Sequence, residues 1–195
     1  MSQVFLWKKN KNSKILLTNC CHQPSLNLSY KQLKDKNMFA TAQVISQEDL
    51  LKHWQGHRNL TRRVIELFTE KDFFEFSIGG MRTFAQLTSE LLAIGAPGLK
   101  GIVTRQVEPF HEEAEKFTTK AEFLKKWDES TATINDYWEQ LSMEDFNDTF
   151  NLFGQYEFPV IQNILYFIDN EVHHRGQGYV YLRALGIQPP FFWER

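Results

Sequence analysis

Cysteine is almost missing from this chain of 195 residues, and its two copies, Cys20 and Cys21, are neighbours that cannot bridge one another without severe strain. That scarcity points away from a disulfide-stabilised secreted fold and towards a reducing, cytoplasmic setting. Long apolar runs are missing too. Ile15-Leu16-Leu17 is far shorter than a membrane span or the apolar centre of a signal peptide. Neither sign of charge dominates: 22 basic and 24 acidic residues leave a net charge of -2, which gives no global field for nucleic acid or an anionic membrane surface. Gly95 to Gly101 lacks the Lys-Ser/Thr ending and the preceding strand of a phosphate-binding loop. A Ser-His-Asp or Cys-His arrangement is not visible, because Cys20-Cys21-His22 is adjacent only in sequence. Repeats and low-complexity tracts are absent as well.

What charge there is divides unevenly. Residues 1–45 hold seven Lys and one acidic residue, net +6, whereas residues 46–195 are net -8. The lysines are scattered among Asn, Gln and Ser without Arg clusters or interleaved aromatics, which reads as a solvated N-terminal extension of uncertain order. The remaining residues, 46–195, suffice for one domain with a substantial core, and the aromatics of the whole chain, 17 Phe among them, argue for a packed interior.

Apolar periodicity predicts four long helices. Ser46-Gln47-Glu48-Asp49 has the form of a capping box, and Leu50, Trp54, Thr61, Val64 and Phe68 then follow at helical steps until the stripe fades near Glu70. Gly79-Gly80 closes the connection. A second helix from Thr83 to Gly95 places Phe84, Leu87, Leu91 and Ile94 on one face before the break at Gly95 to Gly98. A third, from Lys120 to about Leu141, carries Leu124, Trp127, Thr131, Ile134, Trp138 and Leu141. The last begins at Pro159 and ends near Leu185, with Gly186 to cap it and Pro189-Pro190 to stop it. The two later connections, each roughly twenty residues, are long enough to cross the end of a bundle and to hold short turns or strand pieces. The expected fold is all-α, a four-helix bundle with long crossover connections.

Polar groups interrupt the inward row of the last helix. Asn170, His174 and Gln177 share a face with Phe167 before them and Tyr181 beyond. On the second helix, Glu90 lies at or near the apolar face of Leu87, Leu91 and Ile94. Two readings stand: a carboxylate at the stripe's edge in water, or a buried one that needs a partner, for which a divalent cation shared with His174 would serve. His53 and His57 also have an i, i+4 spacing, but nothing else converges with them, so they read as a surface or core pair.

The run Asn170-Glu171-Val172-His173-His174-Arg175-Gly176-Gln177, with Tyr181-Leu182-Arg183-Ala184-Leu185-Gly186-Ile187-Gln188-Pro189-Pro190 after it, resembles the closing helix of DinB/YfiT-like proteins. Met81-Arg82-Thr83-Phe84-Ala85-Gln86-Leu87 is similar to the opening of that family's second helix, and the likeness spans roughly residues 46–191. In the family, one histidine of the second helix and two on the last, four apart, usually hold a divalent metal. By position these fall on Glu90, Asn170 and His174, so the resemblance implies those three as metal ligands with only one histidine retained. Glutamate and imidazole suit zinc, nickel or manganese, whereas an Asn carbonyl is a weak ligand.

The activity so implied is a divalent-metal-dependent hydrolase or thiol transferase acting on a small molecule, with His173 passing a proton and Arg175 and Gln177 orienting the ligands or binding substrate. For His173 and Arg175 a solvated or helix-packing role is the competing reading. Because two of three histidines are replaced, the alternative for the whole chain is a non-catalytic stress-response or binding module with a degenerate metal site. The family also implies a homodimer.

Overall fold

In the computed structural model the described residues are 44–107, 109–111 and 117–195. The expected N-terminal extension, with Cys20, Cys21 and His22, therefore lies outside the described residues except for Val44 and Ile45. The described elements are α1 (Gln47–Leu67), α2 (Glu70–Glu75), α3 (Phe84–Thr104), α4 (Lys120–Trp138), a 3-10 turn (Asp145–Asn147), β1 (Thr149–Leu152), β2 (Tyr156–Pro159) and α5 (Val160–Ala184). Four of these are long helices: α3 packs on α4 and α5, and α1 packs on the same two. This is the expected four-helix bundle, to which a short helix and one hairpin are added.

Side-chain caps set the helix starts. At α1 the Ser46 hydroxyl oxygen accepts the Asp49 N–H at 2.9 Å, and the hydroxyl itself donates to the Asp49 carboxylate. The return bond of a full capping box, to the Ser46 N–H, is not among α1's bonds; an aspartate is one methylene shorter than the residue that motif uses. Complete boxes occur at α3, between Thr83 and Gln86, and at α4, between Thr119 and Glu122. Thr69 caps α2, a short turn that brings Phe73 into the core.

One boundary departs from the sequence-based expectation. The second long helix does not stop at Gly95 but continues through Pro97 and Gly98 to Thr104. Pro97 removes one helical N–H, at a cost of about 3 kcal/mol in an isolated helix. Burial of Ile94, Leu99 and Ile102 on either side offsets it. The glycines here serve close packing: a Cβ on Gly98 would lie 2.6 Å from Cζ of Phe167, and one on Gly95 would lie 3.6 Å from the Trp54 ring. Arg105, at φ 58°, ends the helix in the left-handed region.

The third long helix ends at Trp138, three residues short of Leu141, and its buried face is Phe123, Trp127, Ser130, Ile134 and Trp138. Leu124 and Thr131 sit at that face's margin. The connection that follows holds an antiparallel hairpin pairing Thr149 with Pro159 and Leu152 with Tyr156, turned through Phe153 and Gly154 at positive φ. Pro159 is thus the last strand residue and the N-cap of α5. The end of α5 has the paired bonds of a Schellman motif, Gly186 N–H to Arg183 C=O and Ile187 N–H to Leu182 C=O, with Gly186 at φ 75°.

The core falls into two aromatic-rich clusters. Trp54, Ile134, Trp138 and Phe167 belong to one; Phe68, Phe73, Phe84, Phe123, Trp127 and Tyr181 belong to the other. Among the described residues, no helix is long and apolar enough to cross a membrane.

Candidate functional site

Eleven residues of α5 are buried, too many for one stripe. They form two adjacent rows. The first runs through Phe167, Asn170, His174, Gln177 and Tyr181, with Asn170 and Gln177 half-buried; the second runs through Ile164, Ile168, Glu171, Arg175, Gly178 and Leu182. Each row carries a polar system of its own.

The first faces α3. His174 Nε2 lies 3.0 Å from Oε1 of Glu90, and His174 Nδ1 lies 2.8 Å from Oε1 of Gln177. Both partners are shielded: the side chain of His174 is 7% exposed and that of Glu90 is 16% exposed. Arg82 pairs with the second oxygen of Glu90. Burial alone would raise the Glu90 pKa, but the bonds from Arg82 and His174 outweigh it and hold the carboxyl below its usual range. Glu90 is therefore a carboxylate, partnered and only partly in water.

With Gln177 oriented so that its oxygen accepts from Nδ1–H, a neutral His174 turns the lone pair of Nε2 towards the Glu90 oxygen. Two acceptors 3.0 Å apart repel unless positive charge lies between them, either a second proton on the imidazole or a cation. Ligands about 2.0–2.2 Å from one divalent ion lie roughly 3.3–3.6 Å apart at a tetrahedral angle and about 3 Å apart at a right angle, so the observed 3.0 Å matches a hydrogen bond or adjacent positions on an octahedral ion. Asn170, one turn before His174, has a buried amide nitrogen with no hydrogen-bond partner among the described residues. That N–H calls for an acceptor, which a cation is not, so Asn170 would ligate a metal only through its carbonyl oxygen. Two strong donors and one amide thus fit a divalent ion, though among the described residues no group of three or more His, Cys, Asp or Glu could hold one. His173 is exposed, with its ring edge against that of His174 at 4.9 Å between centroids.

The second row faces α1, and Arg175 lies on it, in the helix-packing position that is the competing reading for this residue. Arg175 is buried and donates to His57 Nδ1 at 2.8 Å and to Thr61 Oγ1 at 3.0 Å. Thr61 in turn donates to Glu171 Oε1 at 2.6 Å. Glu171 lies 3.7 Å from Arg58, which caps the Trp127 ring at 3.9 Å and donates to Thr131 at 2.7 Å. Burial raises the Glu171 pKa against the pull of Arg58, and burial lowers that of Arg58 to about 10 despite Glu171. Sequence reasoning missed Glu171 and Arg58. The i, i+4 spacing of Glu171 and Arg175 on a row continuing Ile164 and Ile168 was the available signal.

His53 and His57 meet at 3.2 Å through their Nε2 atoms. His57 is buried, and its pKa falls to about 3 because of burial first, then Arg175, His53 and Arg195. The pair belongs to a cationic network, which is a poor place for a metal ion.

The model of the DinB family matches residues 38–194. A DinB-like protein from Bacillus cereus ATCC 10987 superposes with a TM-score of 0.63 at 16% identity, over 75% of this chain and 97% of that one. The DinB-like protein YjoA from Bacillus subtilis gives 0.62 at 19% identity, over 75% and 99%. A search of curated proteins finds no match. At these identities the solved structures speak to the fold alone, and the fold is the same bundle. With four-fifths of its length matched by the family model, this chain belongs to the DinB family.

Proposed function

We propose that the chain is a divalent-metal-dependent hydrolase or thiol transferase of the DinB family, holding zinc, nickel or manganese through Glu90, His174 and Asn170. The observation that carries this reading is the 3.0 Å approach of His174 Nε2 to Glu90 Oε1 while Gln177 holds the other ring nitrogen. A cation bound there supplies Lewis acidity, lowering the pKa of a water or a substrate thiol. Gln177 fixes the ring of His174, Arg82 holds Glu90 in place, and exposed His173 exchanges protons between the site and solvent. The substrate is a small molecule, the setting is cytoplasmic, and two copies pair through a helix face.

Elemental analysis of protein purified without chelator or a metal-affinity tag, beside the His174→Ala variant, tests this. About one metal per chain, lost in a variant that keeps its helical circular dichroism, is the expected result. Equal metal in both would reject the ligand assignment.

One observation favours a second reading. Arg82 already neutralises Glu90 without a metal cation. In that reading the chain is a non-catalytic stress-response or binding module with a degenerate metal site, and neither protein takes up metal after incubation with zinc, nickel and manganese.

A further inference from the structure

A cleft of about 260 Å³ lies on the α1 side of α5, under the C-terminal segment. It shares no lining residue with the Glu90–His174 pair. The segment is held there by two contacts: Arg63 pairs with Glu194 at 2.8 Å, and Gly56 lets the backbone of Arg195 come so close that a Cβ on that glycine would stand 3.1 Å from it. Arg175 and Arg195 line the cleft with His57, while Val172, Phe192 and Tyr179 give it apolar walls.

Hydrogen donors here outnumber acceptors. Arg175 donates to His57 Nδ1, so that nitrogen carries the lone pair and Nε2 of the neutral ring carries the proton. His53 Nε2, at 3.2 Å, can accept it. Arg195 Nη1, 3.1 Å from the same Nε2, then faces an N–H with an N–H. Arg195 pairs with no carboxylate among the described residues, since Glu194 is taken by Arg63. The Tyr179 hydroxyl is buried beside the Arg175 guanidinium, and its own O–H has no acceptor among the described residues. Among the described residues Glu171 is the one carboxylate paired with both Arg58 and Arg175, so these two cations share a single negative charge. Among the described residues, no anionic side chain lines the cleft.

We infer that this cleft binds a small organic carboxylate, its oxygens between Arg195, Arg175 and the Tyr179 hydroxyl and its apolar body against Val172 and Phe192. The volume is at the small end of ligand pockets and suits a single ring or a short branched chain. Arginine forks match carboxylate geometry, and apolar walls distinguish such a ligand from a bare inorganic anion.

Calorimetric titration of the full chain with benzoate, benzamide and inorganic phosphate tests the assignment. Benzoate should bind saturably at one site per chain, with benzamide and phosphate each at least roughly tenfold weaker, the scale of one charge-assisted contact. The Arg195→Gln variant should lose roughly tenfold in benzoate affinity, and His174→Ala should bind benzoate as the unaltered chain does. No saturable benzoate binding would overturn the proposal. So would benzamide or phosphate matching benzoate, unchanged affinity in Arg195→Gln, or loss of binding in His174→Ala. Titrating chelator-treated protein keeps benzoate from ligating a metal at the Glu90–His174 pair.

Discussion

Arg175 donates to His57 Nδ1 at 2.8 Å, tying the last helix to the first through a nitrogen that must stay unprotonated. Depressed from 6.5 to about 3, His57 takes up its proton in the unfolded chain well before it can in the folded one. Stability is therefore fully present above pH 6.5 and is lost as pH falls towards 3, by at most about 1.4 kcal/mol per pH unit from this single group. Urea unfolding at pH 7, 6 and 5 should show a shallower decline for His57→Gln than for the unaltered chain. Equal slopes would place the acid sensitivity elsewhere.

Glu171 is the only carboxylate within ion-pair reach of buried Arg58 and Arg175 among the described residues. Removing it in Glu171→Ala leaves both guanidinium groups in the interior without compensation. The expected loss is about 3–5 kcal/mol in denaturant unfolding, the range for one partner taken from a buried pair. A loss under about 1 kcal/mol would mean that the charges are not supported by this residue.

Gly98 sits in mid-helix, where alanine has the higher intrinsic propensity by about 1 kcal/mol. Packing reverses that preference, because the new methyl would meet the Phe167 ring at 2.6 Å. Gly98→Ala should lower stability by about 1–3 kcal/mol, the cost of an overfilled core. A thermal midpoint at or above that of the unaltered chain would contradict the close approach.

Asn170 carries the weakest donor of the proposed ligand set. Asn170→His replaces the amide with an imidazole one helical turn from His174, giving two nitrogen ligands and a carboxylate. Zinc affinity, read by competition with a chromogenic chelator, should rise by roughly tenfold or more. Unchanged affinity would show that position 170 does not face the ion.

How much of this was written in the sequence differs between elements. The bundle was legible because apolar residues recur at helical steps and because Ser46 and Gly186 stand where helix ends need them. The course of α3 beyond Gly95 was not, because glycine and proline mark breaks locally whereas here Phe167 and Trp54 pack against the gap left by missing side chains. Of the two polar rows on α5, the row of His174 stood out through its family motif. That motif tied Arg175 to the same site and gave Glu171 no role. Only the packing of α1, with Arg58, Thr61 and His57 placed opposite, turns them inward. Facing pairs on separate helices leave no trace in local spacing.

The division of the core into two clusters has a practical side. Trp54 and Trp138, edge-to-face at 6.1 Å, report on one cluster, and Trp127, beneath the Arg58 guanidinium, reports on the other. Nature has thus distributed intrinsic fluorophores across the interior, and Trp193, 62% exposed, supplies a solvent-facing reference. Versions of the chain keeping Trp127 alone, or Trp54 with Trp138, would show by emission whether the two ends of the bundle melt in one cooperative step or in succession.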